Sequence, residues 1–462
     1  MNTRTTTPIF SRLNEIVGNP NVIADPAQLA AYEIDGLRPS AVARPGSSGE
    51  VAEVVKFAAS EKLAIVPMGA GTKLGIGMPP RQYDIALEME RLDHVVAYDP
   101  GDLTLGVEPG IPLRRLEGVL AGHRQFLPLL VPFMNQGTVG GTIASGADSS
   151  LRQLYGTARD FVLGMEFVTG EGELVKSGGH VVKNVSGYDI HKLMIGALGT
   201  LGVITRINFR TFPLPAETRT FVTAFNGVDG ACEFRDAIAN SHLRAQSVEI
   251  LGAGQGNPLP GGESLWDLVG DGEWSVVISV TGNRPVLERY HRDMEALARR
   301  ADGNLLESFG ELSEADQETV AAYIREFAGT ASGQISPTAI FKISTLPGGL
   351  AALADGLVSC AEKPDIPWSM MMRGVGIAYF KMIAADGTAE SLRRLKEACN
   401  RVFRGSEESD GGRAVLLTCP AEFKSEINVW GKESGELPLM KGLKKVFDPG
   451  NVLAPGRFVG GI

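Results

Sequence analysis

The chain has 462 residues, 44% hydrophobic and 21% charged, with a formal net charge of −10. That composition supplies apolar material for two to four compact units and leaves no basic footprint for nucleic acid. No run of about 18 apolar residues occurs, so no spanning helix is expected, and the opening MNTRTTTPIFSRLNEIV lacks the apolar core of a secretory signal. The four cysteines, Cys232, Cys360, Cys399 and Cys419, form no CxxC pair. An iron–sulfur cluster or structural zinc held by this chain alone is not expected, and free thiols fit a reducing cytoplasm.

In chain order, residues 49–62 place Val51, Val54, Val55 and Ala58 on one helical face. A short apolar strand, 64–68, leads into GAGTKLGIGMPP. Residues 103–109 alternate as a strand does, and Pro112 opens a helix with Leu113, Leu116, Val119 and Leu120 on one side. Residues 162–168 and 173–175 read as a hairpin around 169–172, followed by a helix over about 188–196 and a strand over 203–212. After Pro215 the texture changes. Strands near 219–224, 245–251, 274–281, 338–345, 368–381 and 413–418 alternate with helices near 230–240, 284–300, 312–327, 348–359 and 387–402. This is an α+β pattern with an antiparallel sheet. Expected boundaries are 1–215, 216–420 and a C-terminal return over 421–462.

Glycine-rich segments carry the chemistry. Pro67, Gly69, Ala70, Gly71 and Thr72 form a loop whose bare N–H groups can cradle a phosphate, or an ordinary turn. A Rossmann reading needs a helix directly after the loop, and GIGMPPRQY opposes one. The second segment, Thr138-Val139-Gly140-Gly141 through Ser145-Gly146, permits close approach of a flat ring or phosphate, or makes a tight turn before a packed helix. Tyr155-Gly156 is third. The fourth runs from Val185-Ser186-Gly187-Tyr188-Asp189 into Gly199-Thr200-Leu201-Gly202-Val203.

Taken in this order and spacing, the four segments resemble the FAD-binding domain of the vanillyl-alcohol-oxidase/PCMH-type flavoproteins over roughly residues 35–215. FDPGNVLAPGRF resembles that family's closing segment. Within the family the pattern is most similar to glycolate oxidase FAD-binding subunits and D-lactate-dehydrogenase-like FAD-linked oxidases. The resemblance implies a two-subdomain FAD-binding domain with a ferredoxin-like α+β cap. It implies that Pro67, Gly69–Thr72, Thr138–Gly141, Ser145, Gly146, Gly156, Gly187, Tyr188, Gly199, Thr200, Gly202 and Val203 surround the cofactor, with Val203 near the adenine. Covalent members carry a histidine in the first loop where this chain has Gly71, so noncovalent FAD is expected. The paired histidines of metal-dependent members are missing from the C-terminal half, so no metal is expected. Leu198 stands where many relatives have Glu.

The implied reaction passes hydride from the α carbon of a 2-hydroxy acid, of glycolate or D-lactate type, to flavin N5. A carboxylate needs a cation and the hydroxyl proton a base. Lys342, Arg373 and Arg413, in or beside apolar strands, are the candidates, with snorkelling or ion-paired side chains as the alternative. Tyr379 and Trp430 either cover the flavin face or pack in the core, and Met370–Met372 reads as core filler. His191, His94 and His123 read as structural. A partner iron–sulfur subunit, a quinone or a diffusible acceptor would take the electrons. The rival reading is an FAD-holding relay subunit of a multi-subunit glycolate oxidase without substrate chemistry of its own.

Overall fold

The structure, a computed structural model, describes residues 3–179, 187–254, 273–301, 309–329, 336–363, 365–408 and 412–462. Val185 and Ser186 of the fourth motif lie outside the described residues.

The first sheet joins β1 (Val22–Ile23), β2 (Ala41–Ala43), β3 (Ile65–Met68) and β4 (Ile85–Glu88) in the order β1-β2-β4-β3. β2, β4 and β3 are parallel, as a strand–helix–strand crossover requires. The crossover helix, Ser48–Glu61, begins where the Ser47 side chain accepts from Glu50 N and ends at Lys62 in the left-handed region, φ 56°. Val51, Val54, Val55 and Ala58, the face expected from spacing, are all buried. Each buried valine contributes roughly 1.5–3 kcal/mol, which fixes the height at which β3 delivers the glycine loop.

The second sheet contains β5 (Val95–Asp99), β6 (Thr104–Val107), β8 (Val162–Val168), β9 (Leu174–Gly178) and β10 (Val203–Arg210) in the order β5-β6-β10-β8-β9, every pair antiparallel. The short β7 (Gln125–Phe126) pairs separately with β11 (Phe212–Pro213). Thr169 N donates to Glu173 O, which closes the expected β8–β9 hairpin. The helix expected over 188–196 shrinks to His191–Met194. Gly187, Gly196 and Gly199 take φ values of +81°, +80° and +73°, which break helical continuity on both sides.

Beyond Pro215 the strands β12 (Glu217–Phe225), β13 (Ala245–Ala253), β14 (Trp274–Gly282), β15 (Gly310–Glu311), β16 (Thr338–Ser344), β17 (Trp368–Arg373), β18 (Ile377–Ile383) and β19 (Arg413–Thr418) build one antiparallel sheet. Its order, β15-β12-β14-β13-β17-β18-β16-β19, is two ferredoxin-like β-α-β-β-α-β modules joined edge to edge through β13 and β17. The cap is therefore a duplicated ferredoxin-like unit. Helices Val228–Ala239, Arg284–Ala301, Leu350–Glu362 and Ala389–Glu408 cover one face, with Phe221, Ile250, Met370, Met372 and Phe380 in that core. Strand alternation sends Glu249, Met371, Arg373, Tyr379, Lys342 and Arg413 to the opposite face. There the helix Glu314–Glu326 packs Val320 and Ile324 against Leu251, Met371 and Tyr379.

The C-terminal stretch lies beside β3, where Ile65 N donates to Val452 O and Ala454 N to Ile65 O. Asp448 explains the FDPGN motif. Its carboxylate accepts from Val452 N and Leu453 N and from Lys444 Nζ at 2.6 Å, and Lys444 also reaches Thr200 O and Leu453 O. Every donor of this buried ammonium is thus satisfied, as burial demands.

Candidate active site

Three of the glycine segments converge on one cleft. A Cβ added to Gly69 would lie 2.0 Å from Thr138 Oγ1, one on Gly140 would lie 2.4 Å from Pro109 Cβ, and one on Gly199 would meet Pro67 at 3.1 Å. Gly196 N donates to Ile143 O and Leu198 N to Ala144 O, which stitches the fourth segment to the helix Val139–Ser145. The cleft of about 800 Å³ is lined by Pro67–Leu74, Pro109, Thr138, Gly140, Gly141, Ser145, Leu198, Gly199, Gly202, Val203 and Arg457, among others. No helix follows the first loop. Its backbone is exposed to the cleft over its length, with Gly71 at φ +73°. Main chain stripped of side chains along an elongated groove fits a nucleotide diphosphate and a flat ring.

A second cleft of about 1390 Å³ opens from the first, sharing Thr72, Lys73, Ser145 and Leu198. Its far wall is the inner face of the eight-stranded sheet. Lys342, Arg373, Tyr379 and Arg413 line it, together with Lys73, Arg325, Phe133, Trp430 and Asp148. Among these lining residues the cations number five, and Asp148 is the one carboxylate.

The charges are arranged in a chain. Asp148 lies 2.9 Å from Arg373 Nε and 2.7 Å from Arg152 Nη1, and accepts a hydrogen bond from Tyr379 Oη at 3.3 Å. Arg373 Nη1 donates to Glu249 Oε1 at 2.7 Å. Burial pushes the Asp148 carboxyl up, but Arg373, Lys342 and Arg152 outweigh it and hold the group below the usual range. Glu249 goes the other way. Burial raises its carboxyl to about 7 against the pull of Arg373, with Asp148 adding repulsion. Lys342 has no ion pair within 4 Å among the described residues; burial lowers its pKa and Asp148 partly restores it. Lys73 also lacks an ion pair among the described residues. Burial lowers it to about 8, with Glu326 opposing, and its ammonium lies 5.3 Å from the Phe133 ring centre.

The FAD-binding domain family matches residues 39–189. The chain is 24% identical to the glycolate oxidase subunit GlcD of Bacillus subtilis over 98% of this chain and 97% of that one. It is 28% identical to a D-2-hydroxyglutarate dehydrogenase of Xanthomonas citri over the same shares. Among solved structures, p-cresol methylhydroxylase with substrate bound superposes with a TM-score of 0.78 at 17% identity, covering 99% of this chain and 97% of that one.

In fold and in the order of its glycine segments the chain is similar to the PCMH-type FAD-binding flavoproteins. It is an FAD-linked oxidoreductase whose FAD-binding domain spans residues 39–189, and most residues lining the first cleft belong to that domain.

The structure brings together in the first cleft Pro67, Gly69, Ala70, Gly71, Thr72, Thr138, Gly140, Gly141, Ser145, Gly199, Gly202 and Val203. Six residues expected at the cofactor do not line this cleft. Val139 is fully buried in the core behind the cleft, because helical geometry turns its side chain inward. Thr200 is also fully buried, its hydroxyl donating to Ala197 O at 2.7 Å. Gly187 has open space around it and Tyr188 is 91% exposed, so neither lines the cleft. Gly156, at φ +79°, faces a third recess with Arg152 and Arg159 that meets the second cleft at Asp148 and Lys342. Gly146 lines the second cleft and this recess.

Lys342, Arg373 and Arg413 all line the second cleft, with Tyr379 and Trp430. Their availability differs. Arg373 is held between Asp148 and Glu249, whereas Lys342 and exposed Arg413 have no ion pair among the described residues. His191 is buried with Nδ1 3.2 Å from Ser177 Oγ, and His94 pairs with Glu108 at 2.8 Å, both structural. Sequence reasoning missed Asp148, Lys73 and Arg457. Lys73 directly follows one expected motif and Asp148 lies two residues beyond another, so the signal was a charge at the edge of a glycine segment. Leu198, the departure from the family pattern, lines both clefts in the left-handed region at φ +52°. A branched side chain held there is the kind of local strain that a site imposes.

Proposed function

We propose that this flavoprotein oxidises a small 2-hydroxy acid in the second cleft. One observation carries the reading: Lys342 and Arg413, without an ion pair among the described residues, project from the cap sheet into a cavity that opens directly onto the flavin cleft. A carboxylate entering that space meets cations not already neutralised by protein. Relatives named glycolate oxidase subunit and D-2-hydroxyglutarate dehydrogenase, matched over nearly the whole chain, support the substrate class.

When bound, FAD supplies the two-electron acceptor. Gly69–Thr72, Thr138–Gly141 and Gly199–Val203 would hold it noncovalently. Lys342 and Arg413 would orient the carboxylate, so that the α carbon faces the flavin cleft. Asp148, kept ionised by its neighbours, is a poor proton acceptor and serves instead to keep Lys342 charged. Arg373 positions Asp148 and does not bind substrate in this reading. Tyr379 and Trp430 wall the cavity and exclude water.

The reading includes a flavin domain over 1–215, a cap over 216–420 and a returning segment over 421–462. It places the protein in the cytoplasm, with an iron–sulfur partner subunit or a quinone receiving the electrons. Among the described residues no helix is long and apolar enough to cross a membrane. A 37% identical match to the glycolate oxidase subunit GlcE of Escherichia coli, over 35% of this chain and 46% of that one, favours a second reading in which the chain relays electrons within an assembly.

The test is anaerobic. The purified yellow protein is mixed with glycolate, D-lactate and D-2-hydroxyglutarate while the flavin band near 450 nm is followed. Bleaching by one of them supports substrate oxidation by this chain. No bleaching with any of them, but dye reduction on adding partner subunits, favours the relay.

A further inference from the structure

Arg457 sits in the closing APGRF segment, which no glycine-motif argument reaches. It is 3% exposed and lines the flavin cleft. Its Nη2 donates to Leu74 O and to Ile76 O, both at 2.6 Å. Its own carbonyl accepts from Met78 N at 3.0 Å and from Trp430 Nε1 at 3.1 Å. Arg457 is thus anchored to the loop that continues the phosphate-type cradle twice, through Nη2 of its side chain and through its main-chain carbonyl. Its position relative to Gly69–Thr72 is fixed.

What Arg457 lacks, among the described residues, is a carboxylate within ion-pair distance. Nη1 is buried with no hydrogen-bond partner among the described residues. The carboxylate that faces it, Asp35, has both oxygens occupied by Lys424, at 3.0 and 2.8 Å. The other group that faces it, the Tyr83 hydroxyl, donates away to Tyr32 O at 3.0 Å. Burial accordingly disfavours the charged form of Arg457. An arginine does not escape by losing its proton, because its ordinary pKa is too high. A buried, unsatisfied, charged donor is among the most costly arrangements a protein can keep. It persists where a ligand completes it.

The ligand side has the matching deficit. A flavin dinucleotide carries two negative charges on its diphosphate and gains a third on its ring when reduced. Of the residues lining the flavin cleft, only Lys73 and Arg457 are ionisable. Lys73 is shared with the second cleft; Arg457 belongs to the flavin cleft alone. We propose that Arg457 is the charged hydrogen-bond donor to the bound flavin nucleotide, its Nη1 completing an anionic oxygen that the glycine cradle leaves without a counter-charge. This deepens the cofactor reading and rests on it. The anionic oxygen belongs either to the diphosphate or to the pyrimidine edge of the reduced ring, and the two are separable.

The experiment titrates apoprotein with FAD and with riboflavin, following flavin fluorescence, for the parent and for Arg457→Met and Arg457→Lys. The midpoint potential of each FAD-loaded form is also measured. If the diphosphate is the partner, Arg457→Met weakens FAD binding by about 30-fold or more, leaves riboflavin binding unchanged and leaves the potential unchanged. If the ring is the partner, FAD and riboflavin weaken together and the potential falls, because the reduced anion has lost its counter-charge. Either pattern supports the proposal. Arg457→Met that binds both ligands within about threefold of the parent, at the parent's potential, overturns it. If Arg457→Met does not fold, Arg457→Lys decides. Lysine lacks the planar fork that serves two loop carbonyls and a ligand at once, so FAD binding within about twofold of the parent overturns the proposal and a loss of about fivefold or more supports it. A parent protein that stays colourless in excess FAD overturns the cofactor reading and this inference with it.

Discussion

Glu249 and Arg373 stand directly opposite each other on β13 and β17, at the seam where the two ferredoxin-like halves of the cap sheet join, with Oε1 and Nη1 2.7 Å apart. Both are buried, and Arg373 reaches past Glu249 to Asp148 on the flavin side. One guanidinium therefore ties the two cap modules to each other and the cap to the segment that follows the TVGG motif. Positioning and stability are coupled at this residue.

Arg373→Met removes the shared partner of two buried carboxylates. Breaking a buried pair from one side costs about 3–5 kcal/mol, because the remaining charge is left uncompensated. Urea unfolding should show a loss of that size. In the double variant with Glu249→Gln the combined loss should be smaller than the sum of the two single losses.

The pH dependence of stability follows from Glu249. Its carboxyl sits at about 7 in the folded protein, above its ordinary 4.5, so the folded state binds more protons than the unfolded state between those values. Its contribution is full below about pH 4.5 and is lost as pH rises through about 7. Glu249→Gln should therefore lose less stability than the parent between pH 5 and pH 8, by on the order of 1–3 kcal/mol. Equal slopes for the two proteins in unfolding curves taken across that range would contradict this account.

Among the described residues Lys342 makes no hydrogen bond or close ion pair; its tie to the protein is its attraction to Asp148. Lys342→Met should keep its flavin spectrum and its melting temperature. Its kcat/KM for the preferred hydroxy acid should fall by roughly 100-fold, the equivalent of about 3 kcal/mol for a buried charge pair deprived of one member. Steady-state kinetics with a dye acceptor checks it. An unchanged kcat/KM would place the substrate carboxylate elsewhere.

Gly140 tests the flavin cradle. A methyl group there meets Pro109 Cβ at 2.4 Å and the Pro109 carbonyl oxygen at 2.9 Å. Neither is a flexible side-chain end, so the backbone must shift, at about 1–3 kcal/mol. Gly140→Ala should purify with a lower ratio of 450 nm to 280 nm absorbance than the parent and need at least roughly tenfold more FAD to saturate. Gly118, with open space around it, is the control, and Gly118→Ala should leave the flavin content unchanged.

The glycine segments that build the first cleft were legible from sequence, because their role resides in main chain. A glycine where a side chain would collide leaves a mark at its own position, and the order of such marks survives without knowledge of contacts. Strand alternation likewise marked Lys342, Arg373 and Arg413, since a charge within an apolar strand stands out locally. Where Val139, Thr200 and Tyr188 point was not legible. A motif specifies residue types, whereas burial and exposure depend on what packs behind them.

By itself the sequence determined the cofactor class, the α+β character of the cap and the set of candidate cations. Only the tertiary structure decided which of those cations is free. Arg373 is consumed by Asp148 and Glu249, Lys342 has no ion pair among the described residues, and Arg457 at the far end of the chain lines the glycine cleft. The reason is that a charge's availability is set by its neighbours within a few ångströms. Those neighbours come from segments hundreds of residues apart, which no local pattern records.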